Sequence, residues 1–169
     1  MRILGIDPGL QKTGWGIIEQ NGHALSFVAC GLIRTDAKAP LFERLAQIDF
    51  ELTKVAQDFR PDTSAIEETF VNNNPRSALS LGFARGVAIV APARLGLFVG
   101  EYPATTVKKS ITGTGGAKKE QMGMMVRTLL SSCGQPSEDE ADALAVAICH
   151  AHHVNTRDKV GGIMAGGKR

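Results

Sequence analysis

The hydrophobic pattern of this chain changes its period along the sequence, and this change limits the possible folds more than any other feature. Residues 1–7 form a short apolar run that ends in a carboxylate, and residues 15–19 and 24–34 predict further strands around an Asn21-Gly22 hairpin turn. From residue 41 to residue 59, apolar side chains recur every three or four positions, which is the spacing of a helix. The first third therefore predicts a hairpin-containing sheet followed by a helix.

The remaining segments alternate between strand and helix patterns. Residues 64–70 and 97–102 predict strands, and residues 76–95 predict a helix that is apolar or small on most faces, so that the sheet and a partner subunit would both cover it. Residues 72–75 are a polar connection, and two helices, 118–130 and 137–153, follow the glycine-rich link 113–116. The order predicts an α/β fold with a mixed five-stranded sheet flanked by helices. We expect one domain over residues 1–153 and a mobile C-terminal tail over residues 154–169.

Positive charge is concentrated in one part of the 169-residue chain, although the net charge is only +2. Residues 1–70 carry 7 Lys/Arg and 10 Asp/Glu, whereas residues 85–130 carry 7 Lys/Arg and 2 Asp/Glu. A basic surface beside an acidic site suits a metal-dependent nuclease, and a solvated surface with uneven charge explains the same numbers.

The three cysteines indicate neither a disulfide framework nor a zinc site, because their number is odd and no Cys-x-x-Cys spacing occurs. We expect them to be reduced and mostly buried in a cytoplasmic protein. Arg2, Asp7 and Lys12 interrupt any apolar signal-peptide core, and no apolar run approaches the ~20 residues that span a bilayer.

Four acids lie where folding alone gives no reason for an acid. Asp7 ends an apolar strand, and Glu67 lies in another strand with Glu68 on the opposite face. Asp139 and Asp142 are three residues apart near the start of the last helix, where Ser137 and Glu140 form a capping-box pattern.

Clustered carboxylates repel one another, and a cation relieves that repulsion. Ligation by oxygen alone favours Mg²⁺, with Mn²⁺ as a substitute, and two ions about 3.5–4 Å apart could activate a water and stabilise the leaving oxygen. Each acid alone also has an ordinary explanation, namely an Asx turn for Asp7, a strand-edge charge for Glu67 and favourable helix N-terminal charges for Asp139 and Asp142.

Several motifs together resemble the RuvC family of bacterial Holliday-junction resolvases, over nearly all of the chain as far as His153. They are Gly5-Ile6-Asp7-Pro8-Gly9, Ala65-Ile66-Glu67, Ser77-Ala78-Leu79 with Gly82, Ala84-Arg85-Gly86-Val87-Ala88, and Asp142-Ala143-Leu144-Ala145 with Ala147-Ile148. The resemblance implies a ribonuclease H-like fold, a homodimer, and Mg²⁺-dependent symmetric nicking of two strands of like polarity at a four-way DNA junction, in recombination and repair.

The resemblance also implies roles for individual residues. The family's catalytic and metal-binding acids match Asp7, Glu67, Asp139 and Asp142, although Glu138 and Glu140 flank the third and some members have a histidine there. An aromatic residue that contacts junction bases matches Phe70, and DNA-binding lysines match Lys108 and Lys119. The family acts with a junction-binding and branch-migration complex, RuvA and RuvB.

Three other functions remain open on the residues alone. An ATPase of the actin and Hsp70 group also follows its first strand with Gly-Ile-Asp, but no second phosphate loop appears here. A related nuclease of the same fold and a non-catalytic nucleic-acid-binding module are the other two. The histidines His23, His150, His152 and His153 are expected to be surface or helix-end residues rather than a general base.

Overall fold

The computed structural model describes residues 1–68 and 75–165, with one five-stranded sheet between two layers of helices. Its elements are β1 (Arg2–Asp7), β2 (Lys12–Asn21), β3 (Ala24–Arg34), α1 (Leu41–Phe59), β4 (Thr63–Glu68), α2 (Pro75–Arg94), β5 (Val99–Pro103), α3 (Ala104–Thr112), α4 (Lys119–Leu129) and α5 (Glu138–Ala165). The strand order is β3-β2-β1-β4-β5. The first three strands pair antiparallel, whereas β4 and β5 are parallel to β1 and to each other. The predicted mixed sheet is therefore confirmed.

Side chains that alternate along the strands divide the core between the two faces of the sheet. Ile3, Ile18 and Ala65 pack with α3, α4 and α5, whereas Leu4 and Ile66 pack with α1 and α2. Because Glu67 is two residues beyond Ala65, its side chain is on the α5 face, and Glu68 is on the other. Asp7 shares the α5 face for the same reason.

Glycines bring α5 unusually close to the centre of the sheet. A Cβ added at Gly5 would overlap the backbone carbonyl oxygen of Ala143, and one added at Gly16 would lie 2.7 Å from Leu144. Gly5 and Gly16 are register partners on β1 and β2. The helix therefore rests on the sheet backbone itself.

The structure differs from the predicted elements in three places. α3 was not predicted, because its threonines and lysines hide a short apolar stripe of Val107 and Ile111 directly after Pro103. α5 continues beyond His153 to Ala165, since no proline interrupts that stretch. Several strand ends also shift by a few residues, with β2 beginning at Lys12 and β5 at Val99.

The structure also describes the three cysteines and the hydrophobicity of the helices, on which the sequence raised expectations. All three cysteines are free thiols, and Cys133 and Cys149 are buried. Within residues 1–68 and 75–165, no helix is both long and apolar enough to cross a membrane.

Candidate active site

Asp7 and Glu67 lie side by side where β1 and β4 end. The two strands are parallel, and Ile6 is the register partner of Ile66, so the next residue of each strand is a carboxylate on the same face. Thr13 closes the turn after Asp7, because its hydroxyl donates a 2.7 Å hydrogen bond to the Gly9 carbonyl. The sheet therefore contributes two neighbouring acids at one end.

The first turns of α5 supply the other two acids. The backbone N–H of Ser137 donates a 2.7 Å hydrogen bond to Oε2 of Glu140, which is one half of the predicted capping box. Gly14 is the register partner of Asp7, and a Cβ at Gly14 would overlap the backbone carbonyl oxygen of Asp139. The absence of a side chain at Gly14 thus allows the start of α5 to lie against the strand next to Asp7.

We call the place where these four carboxylates lie the acid cleft, because Asp142, Glu67 and Asp139 all contribute to the pKa shift of Asp7. Burial raises the pKa of Asp7 to about 8, with further increases from Asp142, Glu67 and Asp139 and a smaller opposing effect of Lys119. Burial also raises the pKa of Glu67, with Asp142 adding to the shift and two lysines opposing it. In the protein alone, the ionised forms of these carboxyl groups are therefore disfavoured.

Asp142 has the same electrostatic character. Burial raises its pKa, Lys119 opposes the shift, and Glu138 and Asp139 add to it. Among residues 1–68 and 75–165, no three His, Cys, Asp or Glu side chains converge tightly enough to cage a metal ion by themselves. The donor set still fits Mg²⁺, because this ion is usually held by one or two carboxylates together with waters and substrate phosphates rather than by a protein cage.

Both predicted DNA-binding lysines border the acid cleft. Lys119 forms an ion pair with Glu138, and its Nζ lies 4.0 Å from Oδ2 of Asp142. Lys108, on α3, opposes the rise in the pKa of Glu67 and of Asp142. The basic stretch predicted from the sequence therefore reaches the acids.

A groove of about 420 Å³ extends from the cleft between α4 and the start of α5. Lys119, Gly123 and Arg127 lie along its α4 side, four residues apart, and Ser137 and Glu138 lie on its other side. Neither Arg127 nor the pairing of Glu138 with Lys119 was predicted from the sequence. The four-residue spacing of Lys119, Gly123 and Arg127 places them on one face of α4, and this spacing was visible in the sequence. The Lys119–Glu138 pair was not, because it depends on how α4 docks on α5.

The prediction that all four histidines are surface or helix-end residues is wrong for His150. Its side chain is 1% exposed, with Nε2 3.0 Å from the Thr63 hydroxyl and Nδ1 2.8 Å from the Tyr102 hydroxyl. These contacts connect α5, which carries Asp142, to β4, which carries Glu67, and also to β5. The helical pattern does not distinguish His150 from the apolar residues that face the sheet. The hydroxyl groups of Thr63 and Tyr102 make its burial possible, and they belong to strands far away in the sequence.

The remaining residues are two histidines of α5, which were not predicted to belong to the site, and Phe70, whose role stays a prediction. His153 is exposed, and His152 is half-buried with its Nδ1 2.9 Å from the Ser110 hydroxyl, so neither reaches the acid cleft. Phe70 lies outside the described residues, in the segment 69–74 that follows β4.

Comparisons with known proteins identify relatives over almost the whole chain. The model of the family described as "Crossover junction endodeoxyribonuclease RuvC" matches residues 3–150. A protein with this description from Paramagnetospirillum magneticum is 59% identical over 160 residues, which cover 95% of this chain and 96% of the relative.

Solved structures give a consistent result for the fold. The structure described as Thermus thermophilus RuvC in complex with Holliday junction substrate has a TM-score of 0.87 and 32% identity, covering 92% of this chain and 96% of that one. A yeast mitochondrial Holliday junction resolvase, at 14% identity, has a TM-score of 0.62 and covers 93% of this chain and 84% of that one, which shows a shared fold alone. The predicted ribonuclease H-like fold is thereby confirmed.

Proposed function

This chain belongs to the RuvC family of crossover junction endodeoxyribonucleases, and from this membership we propose where and how it cuts its substrate. The protein is a nuclease that hydrolyses DNA phosphodiester bonds and resolves Holliday junctions. The acid cleft of Asp7, Glu67, Asp139 and Asp142 is the proposed site of hydrolysis. The observation that carries this assignment is the meeting of four acids from three separate elements beside two lysines.

Divalent cations are the proposed cofactors of the cleft. The four carboxylates would hold Mg²⁺, with Mn²⁺ as a substitute, and two ions would share them so that each receives one or two protein ligands. Ions bound there supply Lewis acidity and a water that is nucleophilic near neutral pH. The raised pKa values of Asp7, Glu67 and Asp142 support the proposal, because a cation favours the ionised forms that burial and mutual repulsion disfavour.

Lys108 and Lys119 are the proposed contacts to backbone phosphates next to the cut. Lys119 is paired with Glu138 in the protein without DNA, so a phosphate would compete with that carboxylate for the ammonium group. The exchange costs little, because the pair is on the surface, where ion pairs contribute only about 0–1 kcal/mol. Lys119 can therefore exchange the Glu138 carboxylate for a DNA phosphate at little cost.

Phe70 is the proposed contact to junction bases, on the strength of the family resemblance alone. Stacking on an unpaired base contributes about 1–3 kcal/mol. We expect Phe70→Ala to cut fully paired junctions roughly 5- to 150-fold more slowly, the rate equivalent of that energy. A junction with unpaired bases at its centre should be cut at nearly the normal rate. A large fall in melting temperature without that rescue would assign Phe70 to the core instead.

The protein is proposed to work as a homodimer that nicks two strands of like polarity symmetrically. Apolar side chains remain exposed on the layer of α1 and α2, namely Phe42, Phe50, Leu79, Phe83 and Val90. Exposed apolar patches of this kind mark interaction surfaces. By resemblance, RuvA and RuvB would present the junction, and the three free thiols suit the reducing cytoplasm as the place of action.

Strand-resolved mapping of nicks on a mobile synthetic junction tests the proposed function, with linear duplex as the control substrate and with or without Mg²⁺. Asp7→Asn and Asp142→Asn should each abolish cleavage and bind the junction at least as tightly, because the amide keeps the shape of the side chain and removes negative charge facing the phosphates. Ca²⁺ should support binding without cutting. Wild-type nicking by either variant would remove that residue from the site.

A further inference from the structure

A second groove, of about 490 Å³, lies between α3, the loop that follows it, and α5. Its lining residues are Thr105, Thr106, Lys109, Ser110, Gly115 and His153. His153 is 11 residues beyond Asp142 on α5, or about 16 Å along the helix at 1.5 Å per residue. We call this groove the α3–α5 groove, and it is separate from the acid cleft.

The α3–α5 groove is lined by groups that suit an anion. Its lining residues include three that carry a hydroxyl group, one lysine and one histidine, and none of them is acidic. Lys109 is exposed and makes no ion pair within the described part of the chain, whereas Lys119 at the acid cleft is paired with Glu138. A cation without an acidic neighbour in a concave surface attracts negative ligands.

The walls of the groove are held in position by hydrogen bonds. His153 Nδ1 lies 2.8 Å from the Cys149 carbonyl oxygen, and a carbonyl only accepts, so Nδ1 carries a proton and Nε2 is left to meet a ligand. The Tyr102 ring packs against the imidazole at 4.9 Å. Ser110 Oγ is 2.9 Å from His152 Nδ1, which connects α3 to α5. These hydrogen bonds and the ring contact therefore position His153 and Ser110 in the wall of the groove.

We propose that the α3–α5 groove binds a backbone phosphate of a junction arm outside the cut site, with Lys109 as its main contact. The inference rests on the proposed function, in which the junction is bound at the acid cleft. Lys108 acts on Glu67 and Asp142, while its neighbour Lys109 lines the groove, so α3 presents cations to both places. The separation of about 16 Å along α5 corresponds to roughly five base-pair steps of about 3.4 Å.

Salt dependence of junction binding gives the first test, with Lys109→Gln compared with Lys54→Gln. Lys54 is a matched control because it is an exposed lysine on α1, in the helix layer on the other face of the sheet. Loss of one phosphate contact should reduce the slope of log K against log salt by about one in Lys109→Gln. The slope of Lys54→Gln should equal that of the wild type. At protein concentrations that saturate the junction, Lys109→Gln should cleave it at the wild-type rate.

Neutral methylphosphonate linkages locate the contact on the DNA. A single neutral linkage about five base pairs from the cut should weaken binding by the wild type and have no further effect on Lys109→Gln. A wild-type slope in Lys109→Gln, or equal effects of every neutral linkage on both proteins, would overturn the proposal. The proposal would also be overturned if inorganic phosphate bound in a Lys109-dependent way while the salt dependence of junction binding stayed the same in Lys109→Gln. The ligand of the groove would then be free phosphate.

Failure of this inference can be told apart from failure of the proposed function. If the groove does not bind DNA, Lys109→Gln behaves like Lys54→Gln while Asp7→Asn still loses cleavage. If the acid cleft is not the site of hydrolysis, Asp7→Asn continues to cut, whatever the slope of Lys109→Gln.

Discussion

The Asp7 carboxyl group is partly buried at the end of a central strand and faces three other acids. Among the residues that the structure describes, only Lys119 opposes the resulting shift of its pKa to about 8. The four acids of the proposed site could be picked out from the sequence because each lies near the end of an element, at a boundary between apolar and charged residues. The identity of their counter-charges could not, since Lys119 reaches Asp142 through the docking of α4 on α5.

The raised pKa of Asp7 predicts how stability depends on pH when divalent cations are removed. The folded-state pKa of about 8 is above the ordinary carboxyl value, so between these values the folded chain binds more protons than the unfolded chain. Stability is therefore greatest at low pH in this range and is lost as pH rises toward 8. Glu67 and Asp142 act in the same direction, because their pKa values are also raised.

Melting temperatures in EDTA between about pH 6.5 and 8.5 measure this effect, with Asp7→Asn as the comparison. The variant should be more stable than the wild type, and the gap should widen as pH rises through this range. Adding Mg²⁺ should stabilise the wild type more than the variant. Measurements below pH 6.5 would mix in His152, whose pKa is lowered by burial and which therefore favours the fold as pH rises. Parallel profiles for the two proteins would contradict the prediction.

Among the elements, α5 determines the geometry of the acid cleft, because it carries two of the acids and rests directly on β1 and β2. The long apolar run of α5 predicts that the helix is buried. Its close approach to the sheet depends on glycines of β1 and β2, which come to lie side by side only when the strands pair. Gly5 and Gly16 become partners through the register of the antiparallel pair β1 and β2, which local sequence does not specify. The short α3 was missed for a similar reason, since Val107 and Ile111 make a helix only when α5 and α4 cover them.

Gly5→Ala tests whether this close packing positions the acids. The added methyl group would overlap the Ala143 carbonyl, so α5 must move away from Asp7. We expect a loss of about 3 kcal/mol or more in the free energy of unfolding, at the upper end of overpacking effects. Cleavage should fall by at least about 100-fold even at temperatures where the variant is folded, because small displacements of catalytic groups cost that much.

Gly123→Ala is the matched control for this substitution. Gly123 is inside α4, and its added Cβ would meet only the flexible end of Arg127, at 3.5 Å. Alanine there should stabilise the protein by roughly 0.5–1 kcal/mol through helix propensity. Chemical denaturation and single-turnover cleavage measure both variants. Normal cleavage by folded Gly5→Ala would show that the acids tolerate a displaced α5.

At the scale of the whole molecule, the two layers of helices have different surfaces. The layer of α3, α4 and α5 carries the acid cleft and both grooves, whereas the layer of α1 and α2 exposes apolar side chains. On α2, Ala84, Ala88 and Ala91 are buried against the core, while Leu79, Phe83 and Val90 are exposed. The sequence predicted this helix to be apolar on more faces than the sheet covers, and the exposed residues agree with that prediction.

Phe83→Glu tests the proposed dimer and its consequence for resolution. A charge in an isologous interface meets its symmetry-related copy or apolar surface, so the variant should be a monomer by light scattering at micromolar concentration. Met124→Glu is the control, because Met124 is also exposed but belongs to α4 on the opposite layer, and this variant should remain a dimer.

Each Phe83→Glu monomer keeps one acid cleft. It should therefore nick single strands slowly without the paired, symmetric cuts that separate a junction into two duplexes. A monomeric wild type, or paired cuts by a monomeric variant, would show that the α1 and α2 layer does not couple the two active sites.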